Sequence, residues 1–91
     1  MAKQYIYTHS DGDKFYYKDP EMTILHREDG PAIEWVGGNK EWLVNGKLHR
    51  LDGPALEYVK YVTGYSGQWF VNDVFIFETN RAGRIKDRMK K

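Results

Sequence analysis

A twelve-residue stretch starting at Leu25, Leu-His-Arg-Glu-Asp-Gly-Pro-Ala-Ile-Glu-Trp-Val, returns from Leu48 as Leu-His-Arg-Leu-Asp-Gly-Pro-Ala-Leu-Glu-Tyr-Val, a step of 23 residues. Only Glu28/Leu51, Ile33/Leu56 and Trp35/Tyr58 differ between the two copies. A unit of this period is too small to bury its own apolar face, so it folds by stacking on a like neighbour. The chain is thereby held to an array of similar supersecondary units.

Within each copy, Asp-Gly-Pro-Ala (29–32 and 52–55) predicts a tight turn, with glycine taking a positive φ and proline fixing an extended exit. Ala32–Val36 and Ala55–Val59 then alternate as strands, Ile33/Trp35 and Leu56/Tyr58 on one face and Glu34 and Glu57 on the other. Asn45-Gly46 predicts a type I′ hairpin between Glu41–Val44 and Lys47–His49, because that turn needs positive φ twice. The second copy carries four extra residues between Val59 and Trp69, making Lys60–Gly67 an enlarged loop, and has Asn72-Asp73 in place of Asn45-Gly46. Tyr16, Trp35, Trp42, Tyr58 and Trp69 sit at repeat positions and are expected to form one continuous aromatic interior.

At the N-terminus, β-prone Gln4–Thr8 and Lys14–Lys18 flank the turn signal Ser10-Asp11-Gly12-Asp13. Aligning Gly12 with Gly38 places Lys14 on Lys40, Tyr16 on Trp42 and Asp19 on Asn45, which predicts a degenerate capping hairpin joined by a proline-broken connection at Asp19–Met22. The last strand, Val74-Phe75-Ile76-Phe77, is more apolar than a solvated edge, so it is expected to be covered by the tail or by a partner. From Thr79 or Asn80 to Lys91 the spacing of Ile85 and Met89 predicts a short closing helix. The expected fold class is mostly β, an antiparallel meander of tandem 23-residue β-hairpin repeats with a short C-terminal helix. Residues 1–78 form one β-repeat domain (1–24 capping hairpin, 25–47 first repeat, 48–78 second repeat), and 79–91 a basic helix or tail.

Ninety-one residues make one small domain. With no cysteine, disulfides and thiolate metal sites are excluded, in keeping with a reducing compartment. The N-terminus lacks a signal peptide's apolar core and no apolar run approaches the ~20 residues of a membrane span, so the expected location is cytoplasmic. Met1–Phe77 hold eight Lys/Arg against eleven Asp/Glu, while Glu78–Lys91 hold six against two: an acidic body with a basic tail.

Trp42-Leu43-Val44-Asn45-Gly46-Lys47-Leu48-His49, with its 23-residue recurrence, resembles the β-hairpin repeat of the MORN (membrane occupation and recognition nexus) class. It resembles more closely the short Leu-His-Arg-x-Asp-Gly-Pro-Ala repeat proteins of bacteriophages and large viruses, the likeness covering about Asp11 to Phe77. Arg27 and Arg50 stand where MORN repeats usually carry glycine, and Asp-Gly-Pro-Ala replaces their glycine-rich link. The resemblance implies a scaffold for binding, usually of protein partners.

The tandem His26-Arg27 and His49-Arg50 have two readings. Equivalent imidazole–guanidinium pairs one repeat apart suit a phosphate or carboxylate, such as a small anionic nucleotide. Alternatively, Asp29 and Asp52 hold the arginines locally while each histidine caps a neighbouring hairpin. Equivalent residues of stacked units lie in a row, whereas a tetrahedral metal cage needs four convergent ligands, so no metal or cofactor is expected. Ser10 and Ser66 fall in predicted turns with no adjacent base, and no enzyme activity is expected. Tyr61, Tyr65, Phe70, Phe75 and Phe77 are the candidate protein-binding residues, since aromatic side chains dominate interface energetics. Arg81, Arg84, Lys86 and Arg88 are candidates for nucleic-acid phosphates. We therefore expect a non-catalytic, phage-encoded binding protein that inhibits or adapts a host defence protein in the host cytoplasm. Sequestration of an anionic nucleotide comes second and nucleic-acid binding third; self-association is compatible with each, and no membrane binding is expected.

Overall fold

The computed structural model describes residues 4–59, 65–80 and 85–86. Among them the chain forms ten strands and no helix: β1 (Tyr5–Thr8), β2 (Lys14–Tyr17), β3 (Ile33–Glu34), β4 (Lys40–Glu41), β5 (Leu43–Val44), β6 (Lys47–Leu48), β7 (Leu56–Glu57), β8 (Tyr65–Val71), β9 (Val74–Asn80) and β10 (Ile85–Lys86). Eight of these make one sheet in the order β1-β2-β3-β4-β7-β8-β9-β10, while β5 and β6 pair apart from it. Every pairing is antiparallel.

Three hairpins share one phase. Thr8 faces Lys14, Glu34 faces Lys40 and Glu57 faces Gly67, so the N-terminal hairpin stands in register with the two that follow. The turns of the first two are held alike: Gly12 N–H donates to His9 O at 2.9 Å and Gly38 N–H to Trp35 O at 2.8 Å. Because that turn begins at Trp35, whose N–H donates to Asn39 O at 3.0 Å, β3 is confined to Ile33–Glu34 and does not reach Val36 as its alternation predicts. The next turn back, Val36 N–H to Asp13 Oδ1 at 2.7 Å, recurs as Val59 N–H to Asn39 Oδ1 at 3.0 Å.

At Trp42 the chain leaves the large sheet: Trp42 N–H donates to Ala55 O and its carbonyl accepts from His49 N–H. The β5–β6 hairpin then closes on Asn45-Gly46, both at positive φ (53° and 78°), as the type I′ expectation requires. Asn72 and Asp73 repeat this at φ 49° and 68°. Asp73 can stand in for glycine because the turn is fastened from outside: its N–H donates to Leu48 O at 2.8 Å and its Oδ1 accepts from Leu48 N–H at 2.7 Å.

The buried core is small, consisting of Tyr16, Ala32, Ile33, Leu43 and Ala55, with Phe15, Leu25 and Leu48 packed against Ala32, Ile33 and Leu43. The aromatic residues do not make the single interior expected of them. Tyr16 follows the row Lys14–Glu34–Lys40–Glu57 on one face, where Trp42 also bonds Glu57, whereas Phe15 and Trp35 lie with Ile33 on the other. Trp35 stays partly exposed, at 36%, its Nε1 donating to Glu41 Oε2 at 2.9 Å. Alternation is the cause: Tyr16 and Trp35 occupy opposite phases of adjacent strands.

The expected closing helix is not seen in the described part of 79–91. Thr79 and Asn80 belong to β9, and Ile85 and Lys86 pair back onto Thr79 and Glu78 as β10. Ser66, expected in a turn, is an extra residue within β8, between Tyr65 facing Asn80 and Gly67 facing Thr79.

Candidate functional site

The two His-Arg motifs lie between neighbouring hairpins, and both make the same bonds. Arg27 Nε donates to Asp29 Oδ1 at 3.0 Å, and its second guanidinium nitrogen to Pro31 O and Glu34 Oε2, each at 3.2 Å. Arg50 repeats this with Asp52 Oδ1 at 3.0 Å, Pro54 O at 3.1 Å and the Glu57 carboxylate. Each guanidinium lies over an aromatic ring of the preceding unit, Arg27 at 4.0 Å from the Tyr16 centroid and Arg50 at 3.7 Å from that of Trp42. The same rings send their polar atoms to the same carboxylates, Tyr16 Oη to Glu34 Oε1 at 3.3 Å and Trp42 Nε1 to Glu57 Oε2 at 3.1 Å. A planar five-donor cation is suited to stack and fork at once, which an ammonium cannot do.

Gly30 and Gly53 are explained by this arrangement. Neither has the positive φ expected of it; a Cβ on Gly30 would sit 2.8 Å from Arg27 Cζ, and one on Gly53 2.5 Å from Arg50 Cζ. Glycine is needed there for the guanidinium to pass, and not for the turn.

The histidines act across the same joints. His26 Nδ1 accepts from Asn45 N–H at 2.9 Å and His49 Nδ1 from Asn72 N–H at 3.1 Å, so each holds the type I′ turn of the following hairpin. Gly46 N–H donates to Leu25 O beside it, as Asp73 N–H does to Leu48 O. His26 Nε2 lies 3.5 Å from Glu28 Oε2, a carboxylate replaced by Leu51 in the second copy. Asp29 is held below the ordinary carboxylate range, chiefly by the Arg27 hydrogen bond and then by that from Gln4. Among the described residues no three His, Asp or Glu side chains gather as a metal would require.

The third occurrence of the joint is altered. At the end of the array Phe77 packs on Trp69, ring centroids 4.8 Å apart, in the place that Arg27 takes on Tyr16 and Arg50 on Trp42. Trp69 Nε1 is buried with no hydrogen-bond acceptor among the described residues, and Thr79 stands opposite Gly67 where Glu34 and Glu57 stand opposite Lys14 and Lys40.

Of the aromatic residues singled out for protein binding, Phe70 and Phe75 pack edge to face at 5.4 Å and Phe77 lies against Trp69, all three half-buried. Tyr65 opens β8 opposite Asn80, and Tyr61 lies outside the described residues. The exposed apolar side chains of β9 are Val74 (61%) and Ile76 (43%), which sequence reasoning passed over in favour of the phenylalanines. Phe75 faces Phe70 and Phe77 faces Trp69, so Ile76 is the extra residue of a β-bulge and is turned outward. Alternation along Val74-Phe75-Ile76-Phe77 sets Val74 and Ile76 apart from the two phenylalanines, but only the register with β8 decides which pair faces outward. Of the basic tail, Arg81, Arg84 and Arg88 lie outside the described residues and Lys86 ends β10.

Comparison with protein-family models, with curated proteins and with solved structures finds no match. No helix among the described residues is long and apolar enough to cross a membrane.

Proposed function

We propose that this chain is a non-catalytic β-repeat binding protein that engages another protein through the outer side of β9. The observation that carries the reading is the exposure of Val74 and Ile76 on β9, whose outer neighbour β10 pairs, among the described residues, with Thr79 and Glu78 alone. Exposed β-branched side chains beside a partly covered strand edge suit a partner that adds a strand or lays an apolar surface there. The bonding of His26, Arg27, His49 and Arg50 favours the structural reading of these motifs over the nucleotide one, since their polar atoms serve joints between units. The likeness to phage repeat proteins supports an inhibitor or adaptor of a host protein, working in the host cytoplasm. Affinity capture from bacterial lysate with wild type and with Val74→Lys/Ile76→Lys tests this. The expected result is a stoichiometric partner retained by wild type and lost by the variant. Equal recovery by both removes β9 from the reading.

A further inference from the structure

We propose that the opposite end of the array is a self-association edge, at which β1 pairs with β1 of a second copy about a two-fold axis through Ile6. β1 is terminal in the sheet order, and no described strand pairs with its outer side. Its sequence, Tyr-Ile-Tyr-Thr, carries no charge, proline or bulge, the features that ordinarily guard a free edge.

The backbone direction follows from the strand next to it. Tyr16 N–H donates to Ala32 O, its carbonyl accepts from His26 N–H, and Lys18 N–H donates to Ile24 O, so these residues turn away from β1. His9 N–H, in contrast, donates across its own hairpin to Asp13 O. In an antiparallel ladder bonded and non-bonded pairs alternate. Tyr5 and Tyr7 therefore bond β2, while Ile6 and Thr8, opposite Tyr16 and Lys14, direct their N–H and C=O groups outward.

Two copies of this edge are self-complementary. A two-fold axis normal to the sheet keeps each residue on its own face, so facing residues must have numbers of the same parity. Centring the axis on Ile6 brings Ile6 opposite the partner's Ile6 as a bonded pair and Thr8 opposite the partner's Gln4. Tyr5 then faces the partner's Tyr7 at a non-bonded position, where side chains approach most closely. Those tyrosines continue an aromatic row already present, Tyr7 to Phe15 at 6.2 Å and Phe15 to Trp35 at 5.6 Å, across the axis. Ile6 and Tyr7, each 47% exposed, are the side chains the pairing would cover. A four-residue edge buries less than a standard interface, so the association is weak and concentration-dependent.

Sedimentation over a concentration series tests the proposal, with far-UV circular dichroism checking the fold of each variant. Wild type is expected to move toward twice its monomer mass. Ile6→Lys and Ile6→Glu alone should each weaken association by about tenfold or more, because like charges face each other at the axis, and an equimolar mixture should restore it. Thr8→Pro, which removes an outward N–H and no bond to β2, should act like either single variant. A wild type that stays monomeric, a dimer indifferent to Ile6→Lys, or a mixture that stays monomeric overturns it. So does protection of the Ile6 and Thr8 amides only when an unrelated extended peptide is added, which would assign the edge to a peptide partner.

Discussion

Arg50 shows how much of this array rests on single polar side chains. It binds Asp52, Pro54 and Glu57 while covering the Trp42 ring, so Arg50→Lys loses the fork and the stacking together. The expected cost is about 1–3 kcal/mol, read as a fall in the urea midpoint with a change in Trp42 emission. His49 has a simpler task, offering one acceptor to Asn72 N–H. His49→Asn, which places an oxygen near the position of Nδ1, should exceed His49→Ala in stability by about 1 kcal/mol in the same measurement. Asp29 adds a pH dependence. Its folded-state pKa lies below that of an ordinary carboxylate, so its contribution is complete above the ordinary value and vanishes as pH falls through the lower folded value. Wild type should exceed Asp29→Asn in stability at neutral pH, and the difference should close in strong acid.

At the scale of the element, the turns and glycines divide into two kinds. Asn45-Gly46 was legible because a type I′ turn is a local demand on φ, met or not by the two residues concerned. The role of Gly53 was not legible, because what it makes room for is a guanidinium folded back from Arg50. Gly53→Ala should displace that side chain and destabilise the protein as Arg50→Lys does. Gly37→Ala, with nothing within 4 Å of the added methyl, should change stability by no more than about 0.5 kcal/mol. Thermal melts of the two variants provide the comparison. The β9 bulge belongs here too: the apolar character of 74–77 was readable, but which of its side chains faces outward depended on the register with β8.

The molecule measures 45 × 27 × 19 Å, a slab in which few apolar side chains of the described residues are buried. With so little interior, each core residue carries a large share of the stability. Leu43, packed with Ala32 and Ile33, should cost about 2–5 kcal/mol when truncated to alanine. In a domain of this size that approaches the whole folding free energy. Loss of cooperative unfolding in Leu43→Ala, followed by circular dichroism, checks it. The joints of Arg27 on Tyr16 and Arg50 on Trp42 tie each unit to the one before, so disruption at one should spread along the slab.

Whatever depends on residues close in the chain could be read from the amino acids: the 23-residue recurrence, the Asn45-Gly46 turn, and the pairing of β1 with β2 across Ser10–Asp13. Hydrogen bonds such as Asn45 N–H to His26, 19 residues apart, and Asn72 N–H to His49, 23 apart, could be offered from the amino acids only as one of two readings, because they join segments that meet only in the folded chain. The division of Tyr16 and Trp35 between two faces, the passage for Arg27 over Gly30, and the outward turn of Ile76 arose likewise from packing across strands. Backbone conformation is a local preference, whereas the environment of a side chain is set by whatever distant segment the ladder brings beside it.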